Sequence, residues 1–329
     1  MELVCPAGNL PSLKTAIDNG ADTVYIGFGD DTNARHFAGL NFNEDRAAQG
    51  VEYAHSRGRK VYVAINTYPQ PSGWRRWTEA IDRANRLGAD AVILADIGLM
   101  QYAGENYPDL NLHLSVQGSA TNYEALDFYY QNFNIKRAVL PRVLSVAQVK
   151  KVIDNSPVDI EVFGFGSLCV MVEGRCILSS YVTGRSPNTY GACSPASHVE
   201  YIENDIKLET RLGGVLIDAY KKDEPAGYPT LCKGRFESMG NTYYALEEPT
   251  SLNTLDILPE LEKIGVVAIK IEGRQRSPAY IETVAKTWSA AIRQLEQGEY
   301  KTKDEWNRTL SQISEGFQTT LGAYHRSWQ

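Results

Sequence analysis

Short, nearly uninterrupted apolar runs recur along this chain, each followed by a longer stretch. In most of these stretches apolar positions return at helical spacing. The runs cover residues 2–5, 23–26, 60–65, 91–94, 112–115, 137–140, 160–163 and 266–271. They do not alternate polar with apolar, which is the pattern of parallel strands covered on both faces. Helices are predicted at 10–19, 43–57, 74–87, 122–132, 146–154, 255–264 and 278–297. The first three are followed by Gly20, Gly58 and Gly88, residues suited to a helix C-cap. This β/α alternation predicts an α/β fold, a (β/α)8 TIM-like barrel. No GxGxxG follows the first strand, which removes the main support for a dinucleotide-binding sheet.

One interval breaks the rhythm. Roughly ninety residues separate the seventh run from the helix at 255, too many for a structureless loop in a compact domain. The expected organisation is therefore barrel strands one to seven with their helices over 1–163, then a cysteine-rich insertion after the seventh strand over 164–254. The last helix, strand and helix follow over 255–297. A tail over 298–329 carries Trp306, Phe317, Tyr324 and Trp328, which suggest docking on the barrel. A loop after a barrel strand lies on the C-terminal face, where active sites are built.

The 329 residues are 43% apolar and 22% charged, ordinary for a globular protein. A net charge of −7 gives no general pull toward phosphate backbones, so no nucleic-acid partner is expected. The basic run Arg57, Arg59 and Lys60 reads as a solvated helix end. The chain enters its first strand without a basic or apolar leader, and no uncharged apolar stretch approaches the ~20 residues that span a bilayer. A cytoplasmic location with no direct membrane insertion is the expectation. In a reducing compartment, five cysteines are thiols or metal ligands rather than disulfides.

Cys169, Cys176, Cys193 and Cys232 fall in the insertion, separated by six, sixteen and thirty-eight residues. This is neither a zinc-ribbon knuckle nor a ferredoxin run. Glycines precede them in Gly174-Arg175-Cys176 and Gly191-Ala192-Cys193, and arginine or lysine flanks Cys176 and Cys232. Such neighbours let a bulky group approach the backbone and offset thiolate charge. Spacing alone leaves open a metal or cluster site, buried cysteines acting as small hydrophobes, and a redox pair. Cys5, inside the first apolar run, reads as a core residue.

Several segments together carry a family resemblance. Residues 3–10 with Gly20-Ala21-Asp22-Thr23-Val24-Tyr25-Ile26-Gly27 form one. Gly164-Phe165-Gly166-Ser167-Leu168-Cys169 through Gly174-Arg175-Cys176, then Asn188-Thr189-Tyr190-Gly191-Ala192-Cys193, form a second. Lys270-Ile271-Glu272-Gly273-Arg274 is the third. They resemble the collagenase-like, unassigned peptidase family thirty-two over essentially the whole chain. The segments 30–42, 227–235, 247–255 and 318–326 are most similar to the branch serving oxygen-independent ubiquinone hydroxylation. The resemblance implies a 4Fe-4S cluster held by Cys169, Cys176, Cys193 and Cys232. It also implies a heterodimer with a related, UbiV-like cluster subunit, a lipid-carrying accessory protein, a ubiquinone precursor as substrate and prephenate as oxygen donor. Many members carry a further cysteine where this chain has Ser197, which leaves Cys232 as the fourth ligand.

Ring hydroxylation without O2 requires electron transfer that side chains alone do not supply. Residues at strand C-terminal ends are the candidates for the rest of the site: Asn66, Asp96, Gln117, Arg142, Lys270, Glu272 and Arg274. Arg142 and Arg274 suit an anionic donor's carboxylates as bidentate forks. A rim salt bridge or hydrogen bond is the alternative for each. Hydroxylation of RNA bases, the task of other branches, is the second functional reading, and a module with structural zinc is another. Proteolysis finds little support: there is no HExxH or GxSxG, and His36, His55, His113, His198 and His325 are scattered. A Cys193–His198 dyad conflicts with Cys193 as a ligand.

Overall fold

The computed structural model describes residues 1–36 and 39–326. Residues 37 and 38 of the 30–42 segment, and Trp328 of the tail, lie outside them. Strands β1 (Glu2–Pro6), β2 (Thr23–Ile26), β3 (Lys60–Ile65), β4 (Ala91–Leu94), β5 (Asn111–Leu114), β6 (Arg137–Val139), β7 (Asp159–Ser167) and β8 (Ala268–Ile271) pair in parallel, in sequence order. Ala268 of β8 registers with Glu2 of β1 on one side and with Glu161 of β7 on the other, so the sheet closes into an eight-stranded barrel.

The surrounding helices are α1 (Leu10–Asp18), α2 (Glu44–His55), α3 (Trp74–Arg86), α4 (Ile97–Asn106), α5 (Tyr123–Phe133), α6 (Val146–Ile153), α7 (Leu258–Lys263) and α8 (Pro278–Glu296). Several begin where an Asn, Asp or Ser side chain accepts a first-turn N–H: Asn9, Asn43, Asp96, Asn122, Ser145 and Ser277 do so. Helix α4 was not anticipated. Its first residues, Ile97-Gly98-Leu99-Met100, prolong the apolar run of β4, and only the Asp96 cap separates the two. Helix α7 starts three residues later than expected, because 255–257 form a 3-10 turn ahead of Pro259 at its N-terminus.

Two apolar layers result. The outer one lies between strands and helices and includes Cys5, Ile26, Leu13, Ile81 and Trp288. The inner one is small and aromatic: Val4, Tyr25, Tyr62, Ala64, Ala91, Ile93 and Ala268. It leaves room for a charged layer. Glu161 accepts from Lys270 Nζ at 2.6 Å and from Arg137 Nη1 at 3.3 Å, and Arg137 Nη2 reaches Glu2 at 2.8 Å. Two carboxylates and two cations offset one another inside the barrel, which such burial requires.

Beyond β7 the chain forms two short helices (Leu178–Thr183 and Pro187–Tyr190), a three-stranded antiparallel sheet (Val199–Glu203, Lys207–Leu212 and Val215–Lys221) and a hairpin (Phe236–Ser238 with Asn241–Tyr243). It returns as Ser251–Asn253, antiparallel to the end of β7, and Thr319–Thr320 of the tail pairs with that strand. The tail helix α9 (Asp304–Gln312) buries Trp306, and Tyr324 donates to the carbonyl of Phe163 at 2.9 Å. Phe317, in contrast, is 63% exposed. Among the described residues no helix is long and apolar enough to cross a membrane.

Candidate functional site

The loop from Cys169 to Cys176 leaves β7 at the C-terminal mouth of the barrel. It presses on the turn after β5. Gly174 has φ +90°, and a Cβ there would lie 2.2 Å from the carbonyl oxygen of Gln117. Ser119 Oγ donates to the carbonyl of Glu173 at 2.6 Å. Asn188 Nδ2 holds the carbonyl of Cys176 at 2.9 Å. Cys232 lies in the 3-10 turn Leu231–Lys233, whose lysine is buried against Glu315 at 2.5 Å.

An alternating chain of charges spans the mouth. Arg142 Nε donates to Glu173 Oε1 at 2.7 Å, and Arg142 Nη1 donates to Glu272 and to the Ser167 carbonyl. Glu272 also meets Arg35 Nη2 at 3.5 Å, and Arg35 Nη1 donates to the carbonyls of Gly191 and Ala34. Burial pushes the Glu272 carboxyl up, but Arg142 and Arg35 overcome it and hold the group at about 2. Burial raises Glu173, against the pull of Arg142, and Glu173 Oε2 has no hydrogen-bond partner.

The four insertion thiols are free, and Cys193 links them electrostatically. Cys193 acts on Cys169 and Cys232, and Cys176 acts on Cys193 and Cys232. Burial raises the Cys169 thiol and pushes Cys232 up to about 12. Cys193 keeps solvent-exposed surface; the protein packed around it still raises its thiol, and Arg35 opposes the rise. Thiols held protonated in this way release protons when they bind a metal.

Among the described residues, no three His, Cys, Asp or Glu side chains converge as ligands of one ion. A tetrahedral zinc site is therefore not preformed. A 4Fe-4S cluster makes a different demand: each thiolate takes a different iron, so the sulfurs surround a body rather than a point. Four free thiols, with Cys193 interacting with each of the other three and Arg35 and Arg142 acting on Cys193, are a donor set of the right chemistry for such a cluster.

The other expected residues are largely committed to protein contacts. Asn66 Oδ1 accepts from Ala34 N and its Nδ2 donates to Ser115 Oγ, both at 3.0 Å. Asp96 caps α4. Lys270 lies within the barrel on Glu161 rather than on the rim. Arg274 donates to Asn33 Oδ1 at 3.0 Å, and burial lowers its guanidinium to about 10. Arg142, expected to fork a ligand carboxylate, forks Glu173 and Glu272 instead. Gln117 is buried with its Oε1 unpartnered. His198 Nδ1 lies 3.0 Å from Ser197 Oγ. Arg35, Asn33 and Glu173 were not among the expected site residues. The signals available were the place of Asn33 and Arg35 in the 30–42 segment and of Glu173 between two cysteines.

The chain belongs to peptidase family U32, whose model matches residues 8–327. An uncharacterised protease of Methanocaldococcus jannaschii is 34% identical over 311 residues, 93% of this chain and 68% of that protein. The tRNA hydroxylation protein P of Escherichia coli K12 is 31% identical, over 88% of this chain and 67% of its own length. The 23S rRNA 5-hydroxycytidine C2501 synthase of the same bacterium is 28% identical, over 99% of this chain and 44% of its own. The chain thus spans about two thirds of the first two relatives and less than half of the third.

Proposed function

We propose that this chain is the iron–sulfur subunit of an oxygen-independent hydroxylase that acts on aromatic ring precursors of ubiquinone. It would work in a heterodimer with a UbiV-like subunit, with a lipid-carrying accessory protein and with prephenate as oxygen donor. The observation that supports the reading is that Cys169, Cys176, Cys193 and Cys232 are all free, that Cys193 interacts electrostatically with each of the other three, and that the Cys193 loop is tied to Arg35 at the barrel mouth. The names of two relatives as hydroxylation proteins support the reaction class.

In this reading the four thiolates hold a 4Fe-4S cluster, which supplies one-electron steps that side chains do not. Arg142 and Arg35 offset negative charge around the thiolates, and Glu272 holds the two guanidiniums in place between them. Arg35 is also the guanidinium open to an anionic donor: its side chain is 26% exposed, while that of Arg142 is 6% exposed. The test is anaerobic co-expression with the partner, measuring quinone formation alongside iron and sulfide. Iron-free protein that still supports quinone formation would end the reading.

The names of the same relatives favour RNA hydroxylation as a second reading. The chain's charge of −7 opposes binding of a polyanion. Filter binding of bulk RNA at low salt separates the two: retention of RNA favours the second.

A further inference from the structure

The segment at 30–42, outstanding in the sequence, enters the proposed chemistry only through the charge of Arg35. In the fold it lies across the barrel mouth from β7 and meets the Cys193 loop. Asn33 is fully buried. It donates to the Phe28 carbonyl at 2.6 Å, and its Oδ1 accepts from both Arg35 N and Arg274 Nη1 at 3.0 Å. Asn66 holds Ala34 N at 3.0 Å. The backbone from Asn33 to Arg35 is thus fixed to three barrel strands' ends before it touches the insertion. Arg35 then grips the insertion from this fixed base. Its Nη1 donates to the carbonyl of Gly191, two residues before Cys193, and its Nη2 faces Glu272.

We propose that Arg35 is a positioning residue for the thiolate site, placing the Cys193 loop over the barrel mouth and setting the positive potential that the Cys193 sulfur feels. This inference rests on the iron–sulfur reading above. Two observations carry it: the hydrogen bond to the carbonyl of Gly191, which brings the guanidinium to the Cys193 loop, and the ion pair with Glu272. Outer-shell groups of this kind orient ligands and tune the centre they surround; their loss typically weakens metal binding about 10- to 100-fold. Arg35 is suited to mutation because its side chain is partly exposed and its partner Glu272 keeps Arg142 as a counter-ion.

The experiment compares wild type, Arg35→Gln and Arg35→Lys as full chains purified without oxygen. Iron and sulfide content, the reduced EPR signal and the midpoint potential are measured on the loaded proteins. Hydrogen exchange of the 187–195 segment is measured on metal-free protein. Arg35→Gln is expected to exchange faster in that segment, to hold less iron, and to move the potential of what it retains to more negative values. Arg35→Lys keeps the charge but not the fork, so it should return the potential toward wild type while the exchange remains fast. Wild-type exchange, iron content and potential in Arg35→Gln would overturn the role given to Arg35 and leave the cluster reading intact. Wild-type protein without iron or sulfide would instead overturn the cluster reading, and with it the tuning role, while the exchange data would still decide whether Arg35 anchors the loop.

Discussion

Gly191 packs its backbone directly on the carbonyl oxygen of Ala34, so that a Cβ at Gly191 would fall 1.1 Å from that oxygen. Its φ of +71° is the left-handed value that ends the helix Pro187–Tyr190. The contact joins the loop after β2 to the loop bearing Cys193. Gly191→Ala must therefore separate the two loops as well as strain the backbone. We expect a loss of stability of at least about 1–3 kcal/mol, the scale of a strained backbone position, and a larger fractional loss of iron. Urea unfolding and iron analysis check both; wild-type iron content would show that the contact does not place Cys193.

Lys270 and Arg137 share the buried carboxylate of Glu161, which is 1% exposed. Removing one partner of a buried pair typically costs about 3–5 kcal/mol. Arg137 remains in Lys270→Met, so the low end of that range is expected. The double variant Lys270→Met with Glu161→Gln should recover part of the loss, because it removes the stranded charge along with its partner. A double variant whose loss equals the sum of the losses of Lys270→Met and Glu161→Gln alone would show that the pair is not coupled.

His113 faces Tyr62 in an edge-on contact, 4.7 Å between ring centres, near the N-terminal end of the barrel interior. Burial, reinforced by Arg137 and Lys270, lowers its imidazole from the ordinary 6.5 to about 3. Between those values the unfolded chain binds the proton that the folded chain refuses. Stability is therefore fully present above pH 6.5 and falls as the pH drops toward 3, with a limiting slope of about 1.4 kcal/mol per pH unit from this group. The difference in stability between wild type and His113→Gln, followed by urea unfolding across that range, should shrink or reverse as the pH falls. A difference independent of pH would contradict the assignment.

Cys5 is buried in the outer layer, on the strand opposite Val24 in the register of β1 and β2. Cys5→Ala should cost on the order of 1 kcal/mol, as for the loss of a small buried group, with iron content unchanged. Loss of iron in this variant, measured on anaerobically purified protein, would mean that the ligand set has been misassigned.

The barrel was legible because its strands are buried on both faces, which leaves runs such as 60–65 and 91–94 without polar interruption. Helix α4 was hidden by the same property: its apolar start follows β4 after only Ala95 and Asp96. The insertion's antiparallel sheet gave a weak signal, since strands such as Lys207–Leu212 carry Lys207, Glu209 and Arg211 on a partly exposed surface. The cysteines were visible as residue types. The network around them was not, because Arg35 and Gly191 lie 156 residues apart and Arg142 and Glu272 lie 130 apart. Pairings of that range leave no local pattern to read. The rim arginines were therefore expected to be ligand forks, whereas Arg142 binds the protein's own carboxylates.

The most direct measurement of the central claim is iron, acid-labile sulfide and EPR on protein purified without oxygen, for wild type and for Cys169→Ala, Cys176→Ala, Cys193→Ala and Cys232→Ala. Wild type is expected to hold about four iron and four sulfide per chain, as a 4Fe-4S centre requires, and each substitution to strip most of both. A wild-type chain devoid of sulfide, or a Cys232→Ala protein with its full complement of iron, would contradict it.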